Sequence, residues 1–370
     1  MEFNPSPKHT VGVEWELQLI DPVSLDLVDG IIPLMEFFPD TDFVKPEYIQ
    51  SCVELTSCIA ENSGEAVKHL SGSLMKLLER CTQLDMSVCG AGTHPFCRRL
   101  ALITPLPRYQ QFEASVGYLA HTQITFSTHV HVGMSSGDEA MRAMTFLVPA
   151  LSAFIALSAN SPFWRNHETG HAAYRRRILA AARNYGLPPR FSNWQAFDEF
   201  LCAALHSDTI RGFKDIHWDI RPHPDFGTLE IRAMDAASDL RTVHGLVAFA
   251  RSLILCLAHA PIEAVSRILP LDLPDWIEKE NCFRAALLGL NAEYIVDVKG
   301  HHRPLRNLVA DLIEFCQSTA VEFDETDGLG IASSLLKGIP GYARQLRAYE
   351  KKKSARSVVK ALQGALLDGA

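Results

Sequence analysis

Four short stretches of this chain alternate apolar with polar residues at period two, and each alternation puts ionisable groups on one side. In VGVEWELQLID, residues 11–21, Val11, Val13, Trp15, Leu17 and Leu19 share one face, while Gly12, Glu14, Glu16 and Gln18 share the other. In YIQSCVELTSC, residues 48–58, Glu54 lies with Cys52 and Thr56 against Val53 and Leu55. In TFSTHVHVGM, residues 125–134, His129 and His131 line up with Ser127 and Gly133; in FGTLEIRAMD, residues 226–235, Glu230 and Arg232 line up with Thr228. Successive side chains of a strand point to opposite faces, so this pattern commits each stretch to a half-buried strand. Long helical patterns fill the intervals, at 65–86, 137–160 and 240–259, and again at 305–315 and from about 339 to 367. The strands lack the regular short spacing of repeated βα units, which predicts an α+β domain built on a central, largely antiparallel sheet. The acidic, Gly-containing EFDETDGLG at 322–330 reads as a loop, and Lys351 to Lys353 as a solvated helix face.

If the four polar faces belong to one sheet, Glu14, Glu16, Glu54 and Glu230 crowd together, and like charges so placed are costly without cations. Carboxylates with an imidazole, His131, suit Mg²⁺ or Mn²⁺ better than zinc, and magnesium commonly bridges carboxylates to substrate phosphates. Arg232, two residues beyond Glu230, would then reach a phosphate. His129 is placed to orient the cluster rather than to lead it.

Bulk properties narrow the field further. The chain has 370 residues, 47% hydrophobic and 21% charged, and no linker, charge block or repeat marks a boundary, so one catalytic domain over 1–370 is expected. A net charge of -8 argues against a nucleic-acid surface and leaves small molecules as partners. Nine cysteines without a CxxC pair, and no signal-peptide pattern, predict reduced thiols and a cytoplasmic location. The uncharged run Ala143 to Asn160 approaches the length of a membrane span, but Pro149 interrupts it; it and Gly245 to Pro261 read as buried core helices, with no membrane partner.

At these residues the sequence resembles the carboxylate-amine ligases of the type-two bacterial glutamate-cysteine ligase group. VGVEWELQLIDP, HVHVG, ALSANSPFW at 156–164, TGHAAYRRR at 169–177, TLEIRAMD at 228–235 and GYARQL at 341–346 match that family's motifs in order. The resemblance implies a glutamine synthetase-like fold, shared with guanidino kinases, whose antiparallel sheet carries metals on a concave face. It implies an ATP-dependent reaction in which an acid takes the γ-phosphoryl group and an amine then displaces phosphate to form an amide. It places Glu14, Glu16, Glu54, His131 and Glu230 at the metal, makes Glu230 and Arg232 catalytic, assigns Arg175, Arg177 and Arg344 to nucleotide or substrate, and suggests a homodimer. Two departures stand out: Trp15 replaces an acidic residue common in relatives, and TSCIAENSGEA follows Glu54 where a Thr-Pro-Pro turn is usual. The competing readings are a metal-dependent amidohydrolase, from the HxH strand, and a nucleotide-binding regulatory protein with weak turnover.

Overall fold

Period-two alternation becomes one seven-stranded sheet in the computed structural model, which describes residues 1–39 and 43–369. Its strands are β1 (Val11–Ile20), β2 (Val44–Pro46), β3 (Cys52–Thr56), β4 (Ser87–Cys89), β5 (Ser127–Gly133), β6 (Ile220–His223) and β7 (Thr228–Asp235). They run in the order β6-β7-β5-β1-β3-β2, with β4 pairing the end of β1, and every pairing is antiparallel. Four of these strands carry the expected patterns; β2, β4 and β6 are three or four residues long, too short for alternation to reveal them.

The apolar face of β1 meets the helices. Val11, Val13, Trp15, Leu17 and Leu19 are all buried in a core shared with Leu70, Leu74 and Leu77 of α1 (Ser63–Gln83) and with Leu246, Val247 and Leu253 of a second long helix. Burying side chains of this size stabilises by about 1.5–3 kcal/mol each. Trp15 also satisfies its one polar atom, donating its indole N–H to the Ala237 carbonyl at 3.0 Å. Its departure from the acidic residue of relatives therefore falls on the core side of the sheet.

Both apolar runs are buried helices. α2 (Gly137–Leu147) passes through a tight turn at Val148–Ala150, where Pro149 breaks the hydrogen-bond ladder, into α3 (Leu151–Ser158), and α4 spans Leu240–His259. Caps set their starts: the Ser136 side chain accepts from the Glu139 N–H and Asp239 accepts from the Thr242 N–H.

The stretch 322–330 corrects the expectation of a loop. After α5 (Leu305–Phe315) and a short helix, a turn leads at Thr326 into α6 (Thr326–Lys337), and both glycines of the stretch are helical. Gly328 is needed for packing: a Cβ there would stand 2.5 Å from Ala248 Cβ and 2.9 Å from Ser63 Oγ, so α6 could not lie this close to α4. The acidic character has a use as well. Glu325 accepts from Arg251 of α4 at 2.8 Å, with side chains 0% and 2% exposed respectively. The expected last helix is two, α7 (Gly341–Lys352) and α8 (Ala355–Ala365), parted by Lys353 in the left-handed region at φ 48°.

Candidate active site on the polar sheet face

The ladder registers stack the ionisable rows. Glu16 stands opposite Glu54, Glu14 opposite His129, His131 opposite Glu230, and Glu230 opposite Arg221. Rows predicted from four separate strands thus meet on one face, where they form two groups rather than the single cluster expected.

The first group is balanced. His129 Nδ1 lies 2.9 Å from Glu14 Oε2, and His131 Nε2 lies 3.5 Å from Glu14 Oε1 and 3.7 Å from Glu230 Oε1. Glu230, fully buried, accepts from Arg221 Nε at 2.7 Å and from Arg232. Burial alone would raise its carboxyl, but Arg221, Arg232 and His131 outweigh burial and hold it far below the usual range. Burial likewise opposes ionisation of Glu14, which His129 and His131 nevertheless hold well below normal. Burial and the neighbouring Arg232 push His129 down to about 4, whereas for His131 the charges of Glu230 and Glu14 prevail over burial and raise it. His129 is thus a neutral imidazole near neutral pH, its Nε2 buried without a hydrogen-bond partner among the described residues.

The second group is not balanced. One oxygen from each of Glu16, Glu47 and Glu54 falls within 4.8 Å of the others. Burial, then repulsion from Glu14, Glu47 and Glu16, pushes Glu54 well above its normal value. Burial and Glu47 push Glu16 up to about 8, although Arg175 and Ser127 pull the other way. Three carboxylates that resist ionising together, offering only oxygen donors, fit a hard divalent cation such as Mg²⁺ or Mn²⁺.

Glu54→Gln is accordingly expected to raise the thermal midpoint of the metal-free protein near neutral pH. A carboxyl raised in the folded state contributes fully below its unfolded value of about 4.3, and that contribution is lost as pH rises toward the raised value. The wild-type protein therefore weakens through this group as pH climbs above about 4.3 toward the raised value, while the glutamine variant does not. Equal midpoints for the two proteins across that range, measured by thermal unfolding in chelator, would rule out a repulsive triad.

Two members of this face escape sequence reasoning. Glu47 follows Pro46 at the end of β2, and Arg221 sits in β6; both strands are too short to show parity. Arg221 is identified by its place opposite Glu230 in the ladder, and Glu47 by the approach of its carboxylate to those of Glu16 and Glu54. The arginines of TGHAAYRRR separate into three fates. Arg175 is buried, with Nε and Nη1 unpartnered among the described residues and its charge felt at Glu16. Arg176, passed over in the sequence, forms a two-pronged pair with buried Asp219. Arg177 is exposed, its guanidinium 5.2 Å from the centre of the Phe283 ring. Arg344 donates to Ser238 Oγ at 2.9 Å and Asp239 Oδ2 at 3.0 Å, fastening α7 to the start of α4.

Comparison with solved structures identifies the fold as that of the glutamate–cysteine ligases. A glutamate–cysteine ligase from Francisella tularensis, solved with AMP, superposes with a TM-score of 0.69 over 98% of this chain and 90% of its own, at 10% identity. A bifunctional glutathione synthetase from Pasteurella multocida gives 0.66 over 96% of this chain and 52% of its own, at 11% identity. By class the protein is an ATP-dependent ligase. The profile of glutamate-cysteine ligase family 2 matches residues 10–361, and the chain belongs to that family. Among curated relatives, one from Trichormus variabilis named "Putative glutamate--cysteine ligase 2" is 42% identical over 98% of this chain and 94% of its own length. A relative of the same name from Thermobifida fusca is 33% identical over 98% and 92%.

Proposed function

We propose that the protein uses ATP to join a carboxylate of glutamate to the amine of cysteine through an acyl phosphate. The observation that carries this reading is a single sheet face on which a trio of glutamates, only partly offset by nearby cations, adjoins the arginine-held Glu230. Triphosphate and amino-acid carboxylate repel one another, so a site that unites them must supply positive charge and exclude water. Glu16, Glu47 and Glu54, and beside them Glu14, His131 and Glu230, would hold magnesium or manganese, which when bound offsets charge between triphosphate and attacking carboxylate. The protein's own cations do the rest. Arg232, pinned by Glu230, presents its remaining N–H groups to the transferring phosphoryl, and Arg175 offers unpartnered N–H groups to a carboxylate or phosphate. The substrate carboxylate oxygen attacks the γ-phosphorus and ADP leaves. The amine then attacks the acyl carbon, phosphate departs, and the nitrogen gives up its proton.

Screening ADP release against paired acids and amines tests the assignment. Release that needs both glutamate and cysteine is expected. Release with glutamate and a different amine would redirect the amine, and ADP formation indifferent to either substrate would overturn the ligase reading.

A further inference from the structure

We propose a second cation site, of the zinc type, on the helical side of the molecule. It consists of His9, before β1, Glu139, in the first turn of α2, and His259, the last residue of α4. None of the three bonds to a side chain of the acidic face. One ligand atom from each falls within 4.8 Å of the others. Glu139 Oε1 stands 3.1 Å from His259 Nε2 and 3.9 Å from His9 Nε2. Ligands held about 2.0–2.1 Å from a tetrahedral zinc lie roughly 3.3 Å apart, so small side-chain adjustments would complete the shell.

Two observations point to a ligand. The Glu139 side chain is only 9% exposed, and its Oε1 has no hydrogen-bond partner among the described residues, while Oε2 is satisfied by Ser135. Its nearest neighbour among the described residues is the His259 imidazole, 3.1 Å away without hydrogen-bond geometry, and a cation between the two would satisfy both. The second concerns the tautomer of His9. Its Nδ1 lies 2.9 Å from the Gly133 carbonyl oxygen, which can only accept, so Nδ1 carries the proton and a neutral ring turns the lone pair of Nε2 toward Glu139. A backbone carbonyl behind the ring is the usual way in which proteins orient a metal-binding histidine. Two imidazoles and one carboxylate favour a borderline ion over magnesium. His259 is 58% exposed, which leaves water access to the fourth position. The Arg251 guanidinium also holds the His9 carbonyl at 2.9 Å, so a bound ion would fasten the N-terminal arm to α2 and α4 where that arm is already anchored.

The experiment is a zinc titration by calorimetry in saturating magnesium, on the wild-type chain and on Glu54→Gln, His259→Ala and Glu139→Gln variants. One zinc equivalent is expected in wild type and Glu54→Gln, with affinity at least about tenfold weaker in both His259→Ala and Glu139→Gln. Zinc should also raise the unfolding temperature of wild type more than that of His259→Ala, whose exposed side chain can be removed without disturbing the core. Cobalt in place of zinc should give a visible d–d absorption lost in the same two variants. No binding under magnesium, or unchanged affinity in His259→Ala, overturns the site, and loss of binding in Glu54→Gln would assign the ion to the acidic face instead.

Discussion

Replacing Arg232 by lysine is expected to lower turnover by roughly two orders of magnitude or more, with a smaller change in ATP affinity. As the γ-phosphoryl group transfers, negative charge spreads over its equatorial oxygens, and a fixed guanidinium stabilises that spread charge more than it stabilises bound ATP. Arg232 is fixed twice over, by Glu230 at its side chain and by its N–H donating to the Asp219 carbonyl at 2.8 Å. A purely structural arginine would instead pair with Asp235 at the strand end. Arg232 pairs with Glu230, while Asp235 Oδ2 accepts from the Asn160 N–H at 2.9 Å and the Ser161 hydroxyl at 2.7 Å. Lysine keeps the charge but cannot bond Glu230 and a phosphate oxygen with one planar fork. Single-turnover ADP formation, read beside ATP affinity and melting temperature, decides the matter: near-normal chemistry in a folded variant would falsify the role.

The largest effect on stability is expected at Arg251 and Glu325. The arginine donates to Glu325 Oε1 at 2.8 Å, to the Phe323 carbonyl at 2.8 Å and to the His9 carbonyl at 2.9 Å. Glu325 takes a further bond from the Ser63 N–H at 3.0 Å, so four segments of chain converge on one buried ion pair. Removing either partner strands the other charge out of water, a loss of about 3–5 kcal/mol. Replacing both with apolar residues of similar volume should restore much of it. Urea unfolding of Arg251→Met, Glu325→Leu and the double variant checks this, and single variants that unfold at the wild-type midpoint would show that the pair contributes little.

The polar face was legible wherever a strand was long enough to display its parity. β1 offers ten residues and β7 eight, and Glu14, Glu16, Glu230 and Arg232 could be read from them directly. Glu47 and Arg221 could not, because a strand of three or four residues is defined by its neighbours and not by its own sequence. The division into a balanced and an overcharged group was equally hidden: it depends on which rows the ladder sets side by side, and on Arg221, which no spacing announces. Helical segments were legible by their apolar period, but 322–330 misled because acidic and glycine residues usually mark loops. There the glycine serves close packing and the acid a buried arginine, and both partners lie on α1 or α4, more than sixty residues away.

The pairing of β5 with β7 contains an irregularity between Ile231 and Met234, where Arg232 and Ala233 together face the single residue His129. A bulge of this kind works as a phase shift in the sheet's alternation. Ahead of it, even-numbered residues look into the site; beyond it, Asp235 aligns with Ser127 and Met234 with Thr128, so odd numbers do. One residue of slack lets a single strand deliver Glu230 and Arg232 to the chemistry and still hand Asp235 to the Asn160 turn on that same side. The two-against-one match therefore matters as much as composition: a regular ladder with Ala233 opposite Thr128 would preserve every charged residue and yet exchange the destinations of Met234 and Asp235.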